Sequence, residues 1–598
     1  MKRLSSTLAL IDVTLFAHAQ FDAALAPFHH GVASGDALAD KVIIWTHVTP
    51  TDSTVTYNVN WQIATDEAFI NVANSGAFAT DVSRDFTVKV DVSDLDADTE
   101  YFYRFELNGD YSLVGETRTM PDQMVDNLRF AVAACASFSG GYWFNAYDHL
   151  AQRDDIDAVI HLGDYIYESG GTSSGSGIDV LPNHEIISLQ DYRQRYNSYR
   201  LDSNLREVHR KFPFYTVWDD HEIANDSWAT GAQNHQEGTE GTWEDRLSYA
   251  QQAYFEWLPI RPKAPDSYSI YRKIPMGPLA DLIMIDTRIE ARDSAVDVSN
   301  PVIDDPNRSI LGAEQKQWLK DQLSNSTAKW KVIGNQVMMA PLEMPSIPIV
   351  FPQGGILNAD QWDGYRAERT ELFEYLHSNN IDNTVVITGD IHTSWGNDLR
   401  HPNLNYDPNT GEGSVGVEFI CTALTSGGFP ITIGEQLITA ANPHLKYIDF
   451  VEKGYLVLDL DQQRAKGHWV YVSTVSEGTY TTSTTDALVS IDGQNFLRPE
   501  SALAVANQIP APSTLSLSVY PNPTTNVLNL NIETQNASEL TFILYDLLGK
   551  EVTRKNLGKQ NRGTVAEQVN TASLPDGLYM IRVLDAQGNE ASSLFIKE

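Results

Sequence analysis

A chain of 598 residues, 42% hydrophobic and 20% charged, is long enough for several domains with sizeable cores. Asp and Glu outnumber Lys and Arg by 79 to 42, a formal net charge of −37. That excess argues against a general nucleic-acid or anionic-membrane surface, and it suits an exported protein or one that binds hard cations such as calcium.

Residues 1–19 (MKRLSSTLALIDVTLFAHA) combine a basic start, a short apolar stretch and Ala17-His18-Ala19, the pattern of a secretory signal peptide cleaved after Ala19. One Lys2-Arg3 pair does not make a twin-arginine signal. No later run approaches the ~20 apolar residues of a membrane span. Residues 22–121 read as an N-terminal β-sandwich of the fibronectin type, with short β-branched and aromatic runs such as "KVIIWTHVTP", "VTYNVNWQIA" and "TEYFYRFELNG".

Over 122–500 apolar strands alternate with helical segments, which predicts a layered α/β catalytic domain. "LRFAVAACAS", "DAVIHLGDYIY", "FPFYTVWDDHE", "ADLIMIDTR", "KWKVIGNQVM" and "NTVVITGDIH" are the strands; "SYAQQAYFEWL" and "GAEQKQWLKDQL" have helical spacing. Residues 501–514 read as a linker, within the Pro/Ser-rich "NQIPAPSTLSLS". A small β unit over 515–598 follows, with strands at "VLNLNIE", "LTFILYDLLGK" and "LYMIRVLD".

Five of the catalytic strands deliver polar, mostly metal-competent groups at the same end: Cys135; Asp164 and Tyr167; Asp219, Asp220, His221 and Glu222; Asn335 and Gln336; Asp390 and His392. Buried polar groups need partners, so five such ends point to a shared ligand. The residue types suggest a dinuclear site. Asp164 has two oxygens with which to bridge two cations. Phenolate, thiolate and imidazole suit a strongly Lewis-acidic ion such as ferric iron, whereas carboxylate and amide oxygens suit calcium, magnesium or manganese. A metal pair clamps a phosphoryl group and activates water for in-line attack, leaving His221 to protonate the leaving oxygen.

Bland readings stand beside these. His221 is alternatively a structural histidine satisfied by Glu222 or Asp219, with Asp219 orienting a neighbour. Cys421 has no such company and reads as core. His29-His30 reads as structural or exposed, and "YRQRYNSYR" (192–200) as the solvated face of a helix. Ser137 lacks an evident base, so a phosphoserine mechanism is rejected.

Gly163-Asp164-x-x-Tyr167 resembles the iron-binding motif of purple acid phosphatases, and Asp220-His221-Glu222 and Gly389-Asp390-Ile391-His392 stand where metallophosphoesterases carry their signatures. More specifically, "ACAS", "HLGDYIYE", "VWDDHEIAND", "GNQVMMAPL" and "GDIHTSW", in this order, resemble the alkaline phosphatase D family. So do "FHHGVASGDALADKVIIWTHVTP" and "NPHLKYIDFVEKGYLVLDL". The resemblance covers about residues 26 to 500. It implies a β-sandwich joined to a metallophosphoesterase four-layer sandwich that hydrolyses phosphomonoesters and phosphodiesters with Fe3+ and Ca2+. By motif, Cys135, Asp164, Tyr167 and His392 would hold the iron. Asp164 would bridge to a calcium side supplied by Asp220, Asn335 and Asp390. Which side Asp390 serves, and whether Asn335 or Gln336 is the ligand, the motifs leave open. "SVYPNPTTNVLNLNIE", "LYDLLGKEV" and "LPDGLYMIRV" resemble the C-terminal sorting domain of the type IX secretion system, a small β-sandwich. That resemblance implies an outer-membrane secretion machinery as partner, then release or surface attachment.

The leading expectation is a secreted phosphatase/phosphodiesterase that scavenges phosphate from small phosphate esters. A phosphodiesterase or phospholipase-D-like enzyme with little monoesterase activity is the runner-up, and a surface-binding protein stapled by metals is the reading from another class.

Overall fold

The computed structural model describes residues 21–264, 267–344, 355–428, 434–505, 515–546, 550–586 and 589–598. The expected signal peptide, and residues 506–514 of the expected linker, lie outside the described residues.

Two mixed sheets organise the catalytic region. In the larger, Asn127–Ala133, Ala158–His161, Pro213–Thr216 and Val32–Gly35 run parallel side by side. Antiparallel strands Lys453–Asp461 and Arg464–Val472 extend it on one side. In the smaller, Ala280–Met284, Trp330–Asn335, Thr384–Thr388 and Ser414–Ile420 are parallel neighbours. Their sequences are nearly continuous apolar runs, as both faces of each strand are covered.

The period-2 alternation of strands shows what covers them. Leu282 and Met284 share a core with Phe130, Val132, Ile160 and Leu162 of the larger sheet. Ile283, Ile285, Ile333 and Val386 face the other way, onto Leu319 and Leu323 of helix Gly312–Asn325 and Leu372 and Phe373 of helix Arg366–Ser378. Across the seam, Trp469 Nε1 donates to the Ile420 carbonyl at 2.8 Å and Trp330 Nε1 to that of Asp461 at 2.7 Å. The sheets approach closely at Gly467, where an added Cβ would lie 2.5 Å from the Phe419 ring. Helices Asn145–Ala151 and Ser203–Lys211 pack on the larger sheet's other face.

Residues from about 26 to 120 are strands and turns apart from the 3-10 turn Val82–Arg84, and their strands divide between two sheets. Val32–Gly35, Val42–His47 and Thr87–Val92 are strands of the large catalytic sheet. Tyr57–Ala64, Val72–Thr80, Glu100–Leu107, Asp110–Tyr111 and Gly115–Arg118 make a five-stranded sheet of their own. One core joins Trp45, Val59, Tyr103 and Phe105 to the catalytic strands.

The C-terminal unit has its own core, with Leu528, Leu530, Ile532, Phe542, Ile581, Val583 and Phe595, between a three-stranded and a four-stranded sheet. The three expected strands are present as Val527–Thr534, Ser538–Tyr545 and Gly577–Asp585. The end of the linker stretch "NQIPAPSTLSLS" is instead strand Leu515–Tyr520. Glu551–Gln560, Gly563–Asn570 and Glu590–Lys597 add further strands, mostly exposed or half-buried, where polar side chains mask the alternation. Among the described residues no helix is long and apolar enough to cross a membrane.

Candidate metal centre

Asp164 is set by local backbone rules. Gly163 adopts φ 105°, and a Cβ there would lie 2.4 Å from the Asp219 backbone nitrogen, so only glycine allows the two loops to touch. Asp164 itself has φ 55°, and Cys135, Asp390 and His392 have φ 60°, 62° and 61°. Four expected ligands at four points just beyond strands Asn127–Ala133, Ala158–His161 and Thr384–Thr388 thus share the left-handed backbone that L-residues adopt at a cost. The surrounding structure enforces it. Glu222, buried, accepts the backbone N–H groups of Asp164 at 3.0 Å, Tyr165 at 2.5 Å and Asp219 at 2.8 Å.

On one side, a Cys135, an Asp164 and a His392 ligand atom lie within 4.8 Å of one another. The Tyr167 hydroxyl donates to Asp164 Oδ2 at 3.0 Å and sits 3.3 Å from His392 Nε2. His392 Nδ1–H donates to the Gly427 carbonyl at 2.5 Å, which fixes the tautomer and leaves Nε2 as the donor atom facing the cluster. Burial and the neighbouring Asp164 push the Cys135 thiol and the Tyr167 phenol well above their ordinary ranges. Burial works against the Asp164 charge, but His221 and His392 hold its carboxyl well below the usual range. Its Oδ1 is buried with no hydrogen-bond partner. This crowd of anion-forming donors around an unpartnered carboxylate oxygen fits a cation.

The other side is a dense carboxylate group. Ligand atoms of Asp219, Asp220 and Asp390 lie within 4.8 Å of one another, as do those of Asp220, Asp226 and Asp360. Burial and mutual repulsion raise the Asp390 carboxyl to about 7 and that of Asp226 to about 6. Asp219 Oδ2 is buried without a partner. Asn335 ends strand Trp330–Asn335 and is paired in register with Thr388, two residues before Asp390. Its amide orientation is determined by its neighbours: Thr388 gives its single hydroxyl proton to Glu418 at 2.8 Å and so accepts from Asn335 Nδ2 at 3.0 Å. The Asn335 oxygen accepts from Trp362 Nε1 at 3.2 Å. Gln336 is turned away, with its oxygen on the Thr287 N–H at 2.9 Å and its nitrogen on the Ile285 carbonyl at 2.7 Å. Both amides are thus engaged by the chain itself, since Asn335 Nδ2 also donates to the Val337 carbonyl at 2.5 Å.

His221 is not held by Glu222 or Asp219. Its Nδ1–H donates to Glu168 Oε2 at 2.6 Å, its ring lies against Tyr167 at 4.2 Å with a 36° tilt, and a ring nitrogen lies within 4.8 Å of ligand atoms of Asp164 and Asp220. Burial opposes its charge, yet Asp164, Asp220 and Glu168 together raise it well above the usual imidazole range.

Residues 130–469 match the PhoD-like phosphatase family, residues 15–121 the PhoD-like phosphatase N-terminal domain, and residues 518–597 the secretion system C-terminal sorting domain. Alkaline phosphatase D of Bacillus subtilis (strain 168) is 34% identical over 500 residues, 80% of this chain and 83% of that protein. The chain belongs to the PhoD-like phosphatase family. A solved structure of PhoD shares 33% identity at a TM-score of 0.72, covering 79% of this chain and 92% of that one. This PhoD-like phosphatase is thus a phosphoric ester hydrolase, and its sorting domain directs it through type IX secretion to the cell surface or the extracellular space.

Several residues of the PhoD-like site escape a sequence reading. Glu168 ends the quoted motif "HLGDYIYE", but its partner lies 53 residues on. Its other oxygen accepts the Asn225 N–H at 2.9 Å and Asn234 Nδ2 at 2.8 Å. Arg195, fully buried, donates to five backbone carbonyls, those of Tyr167, Ser169, Leu181, Pro182 and His184. It ties both ends of the segment that begins at Tyr167 and Glu168. The solvated face expected for 192–200 is wrong here. Arg193 pairs with Glu256, Arg200 lies over Trp45, and the helix Leu189–Tyr199 buries its arginines. His29 and His30 are buried too. Cys135 and Cys421 are both free thiols.

Proposed function

We propose that this PhoD-like enzyme hydrolyses phosphate monoesters and diesters at a cation cluster. Cys135, Asp164, Tyr167 and His392 would hold ferric iron; Asp220, Asn335 and Asp390 would hold calcium, with Asp164 shared; His221 would act as general acid; and the secreted enzyme would scavenge phosphate. The observation that carries the reading is the convergence on Asp164: thiol, imidazole and phenol donors surround a buried carboxylate with an unpartnered oxygen. Soft and phenolic donors beside one edge and oxygen donors beside the other suit two different ions. The fold reading that accompanies it is a fibronectin-like sandwich over 22–121, a four-layer α/β sandwich over 122–500, a linker over 501–514, and a small β-sandwich sorting domain over 515–598.

When bound, the two cations supply Lewis acidity, an activated water and neutralisation of phosphoryl oxygens. The chain's own residues do the rest. Glu168 keeps the proton of His221 Nδ1 in place and stabilises the charged ring, so that the opposite nitrogen is able to protonate a leaving alkoxide. Tyr167 fixes that ring's plane from one face. Ser426 Oγ, 2.6 Å from the Tyr167 phenolic oxygen and 2.9 Å from the Cys135 carbonyl oxygen, links two of the iron-side donors.

The test is hydrolysis of p-nitrophenyl phosphate and bis-p-nitrophenyl phosphate by the calcium-supplemented protein, with Asp164→Asn as control. Activity confined to the unmutated protein supports the site, and the ratio of the two rates ranks monoester against diester. Retained activity in Asp164→Asn refutes the assignment.

A further inference from the structure

One group in the carboxylate half is not a ligand type at all. Arg288 lies just beyond strand Ala280–Met284, and its side chain is 0% exposed. Its position is rigid before any contact with the carboxylates is counted. Asp286 Oδ1 accepts the backbone N–H groups of Arg288 at 2.8 Å and Ile289 at 2.9 Å, while Asp286 Oδ2 takes Trp218 Nε1 at 3.1 Å.

From that turn the guanidinium reaches four acids. Nε donates to Asp219, Nη1 to Asp360 at 2.6 Å and Nη2 to Asp390 at 2.9 Å, with Asp220 3.8 Å away. Arg292 takes the second Asp360 oxygen and the Tyr365 hydroxyl. Asp164, Asp219, Asp220, Asp226, Asp360 and Asp390 stand against these two guanidiniums and the His221 ring beside Asp164 and Asp220. The hydrogen bonds and ion pairs of Arg288 go to these acids and not to Cys135, Tyr167 or His392.

We propose that Arg288 is a resident cation: it assembles the carboxylate half of the site in the absence of metal and, by its charge, weakens divalent-cation binding there. The inference rests on the metal-centre reading above. It goes beyond that reading because it gives a non-ligand residue control over cation affinity. A fixed positive charge in contact with Asp390 and close to Asp220 repels a calcium ion shared by them, and calcium affinity follows the net charge of the ligand set. The fork also does what a metal does, drawing acids from three loops to one point.

The test uses the full chain stripped of metal, with calcium alone as probe, in wild type, Arg288→Met, Arg288→Gln and Arg288→Lys. Calcium binding is measured by calorimetry and thermal unfolding is recorded with and without calcium. The two neutral variants are expected to unfold earlier than wild type without calcium and to bind calcium roughly tenfold or more tightly. Arg288→Lys, which keeps the charge and loses the fork, is expected to bind calcium within about threefold of wild type while unfolding early. Neutral variants that fold only with calcium also support the proposal. Neutral variants that bind calcium no more tightly than wild type overturn it, since an orienting role would weaken binding. Neutral variants that stay unfolded even with calcium overturn it as well. If wild type itself binds no calcium, the metal-centre reading fails, and this inference with it.

Discussion

Glu168→Gln separates the proposed acid function of His221 from the proposed metal ligands. The carboxylate serves two customers with two oxygens: His221 Nδ1 at 2.6 Å on one, the Asn225 N–H and Asn234 Nδ2 on the other. Burial works against its charge, but His221 lowers the Glu168 carboxyl to about 2, so the pair is ionic. Glutamine has the same shape and one acceptor. If its oxygen stays on His221, its amide nitrogen faces the Asn225 N–H, a buried donor left unsatisfied at a cost of about 1–3 kcal/mol. If it turns, its nitrogen faces His221 Nδ1, which must then accept, and the ring loses its counter-ion. Replacing a charge-assisted bond by a neutral one removes about 1.5–3 kcal/mol from the imidazolium, or roughly 10- to 150-fold in kcat where protonation of the leaving group matters. p-Nitrophenolate leaves with little need of a proton; an alkoxide does not. The expected loss is therefore about tenfold or less on p-nitrophenyl phosphate and about 100-fold on an alkyl phosphate. Kinetics on the two substrates, with His221→Ala and the double variant, provide the assay. The double variant should be no worse than His221→Ala alone. Equal losses on both leaving groups would refute the acid role.

Other substitutions probe the scaffold. Arg195→Lys cannot satisfy five carbonyls with three donors, so it should cost roughly 3 kcal/mol in urea unfolding and speed proteolysis between residues 169 and 184. Gly163→Ala meets the Asp219 backbone at 2.4 Å and a φ of 105°, and should reduce activity to near the level of Asp164→Asn, measured on both aryl esters. Gly467→Ala forces the Phe419 ring from the seam between the sheets, an overpacking cost of about 1–3 kcal/mol that thermal unfolding would register. Calcium chelation should abolish hydrolysis, and added calcium should restore it.

The strands and their polar ends were legible because the central strands of both sheets are buried on both faces. Runs such as Ala158–His161 and Thr384–Thr388 are all apolar or buried until they stop at a ligand. What the chain hides is whatever depends on a partner far along it. Arg288 ends the recognisable strand "ADLIMIDTR", yet a search for metal ligands passes over a guanidinium, and its acids come from three other segments. Arg193, Arg195 and Arg200 follow one another at spacings that look like a wet helical face; burial against Glu256, five carbonyls and Trp45 is decided elsewhere. Nor does the composition of residues 22–121 reveal that Val32–Gly35 pairs with Pro213–Thr216, because parallel neighbours from distant segments leave no local signature.

The left-handed residues explain why those two kinds of information meet at one place. Cys135, Asp164, Asp390 and His392 each violate a local backbone preference, and local violations persist only where the surroundings over-determine them. Here the surroundings can be named. The Cys135 N–H donates to the Gly163 carbonyl at 3.1 Å and the Ala136 N–H to that of Asp164 at 2.8 Å, so two strained turns brace one another. Glu222 holds the second turn from behind by accepting the Asp164 and Tyr165 N–H groups, ties the Asp219 N–H to it, and His392 is held through its ring by the Gly427 carbonyl. A turn that faced only solvent would relax out of this conformation. Each of these turns directs a donor at Asp164 or its neighbours, so the strain and the polar convergence fall at the same strand ends, as the proposed shared ligand requires.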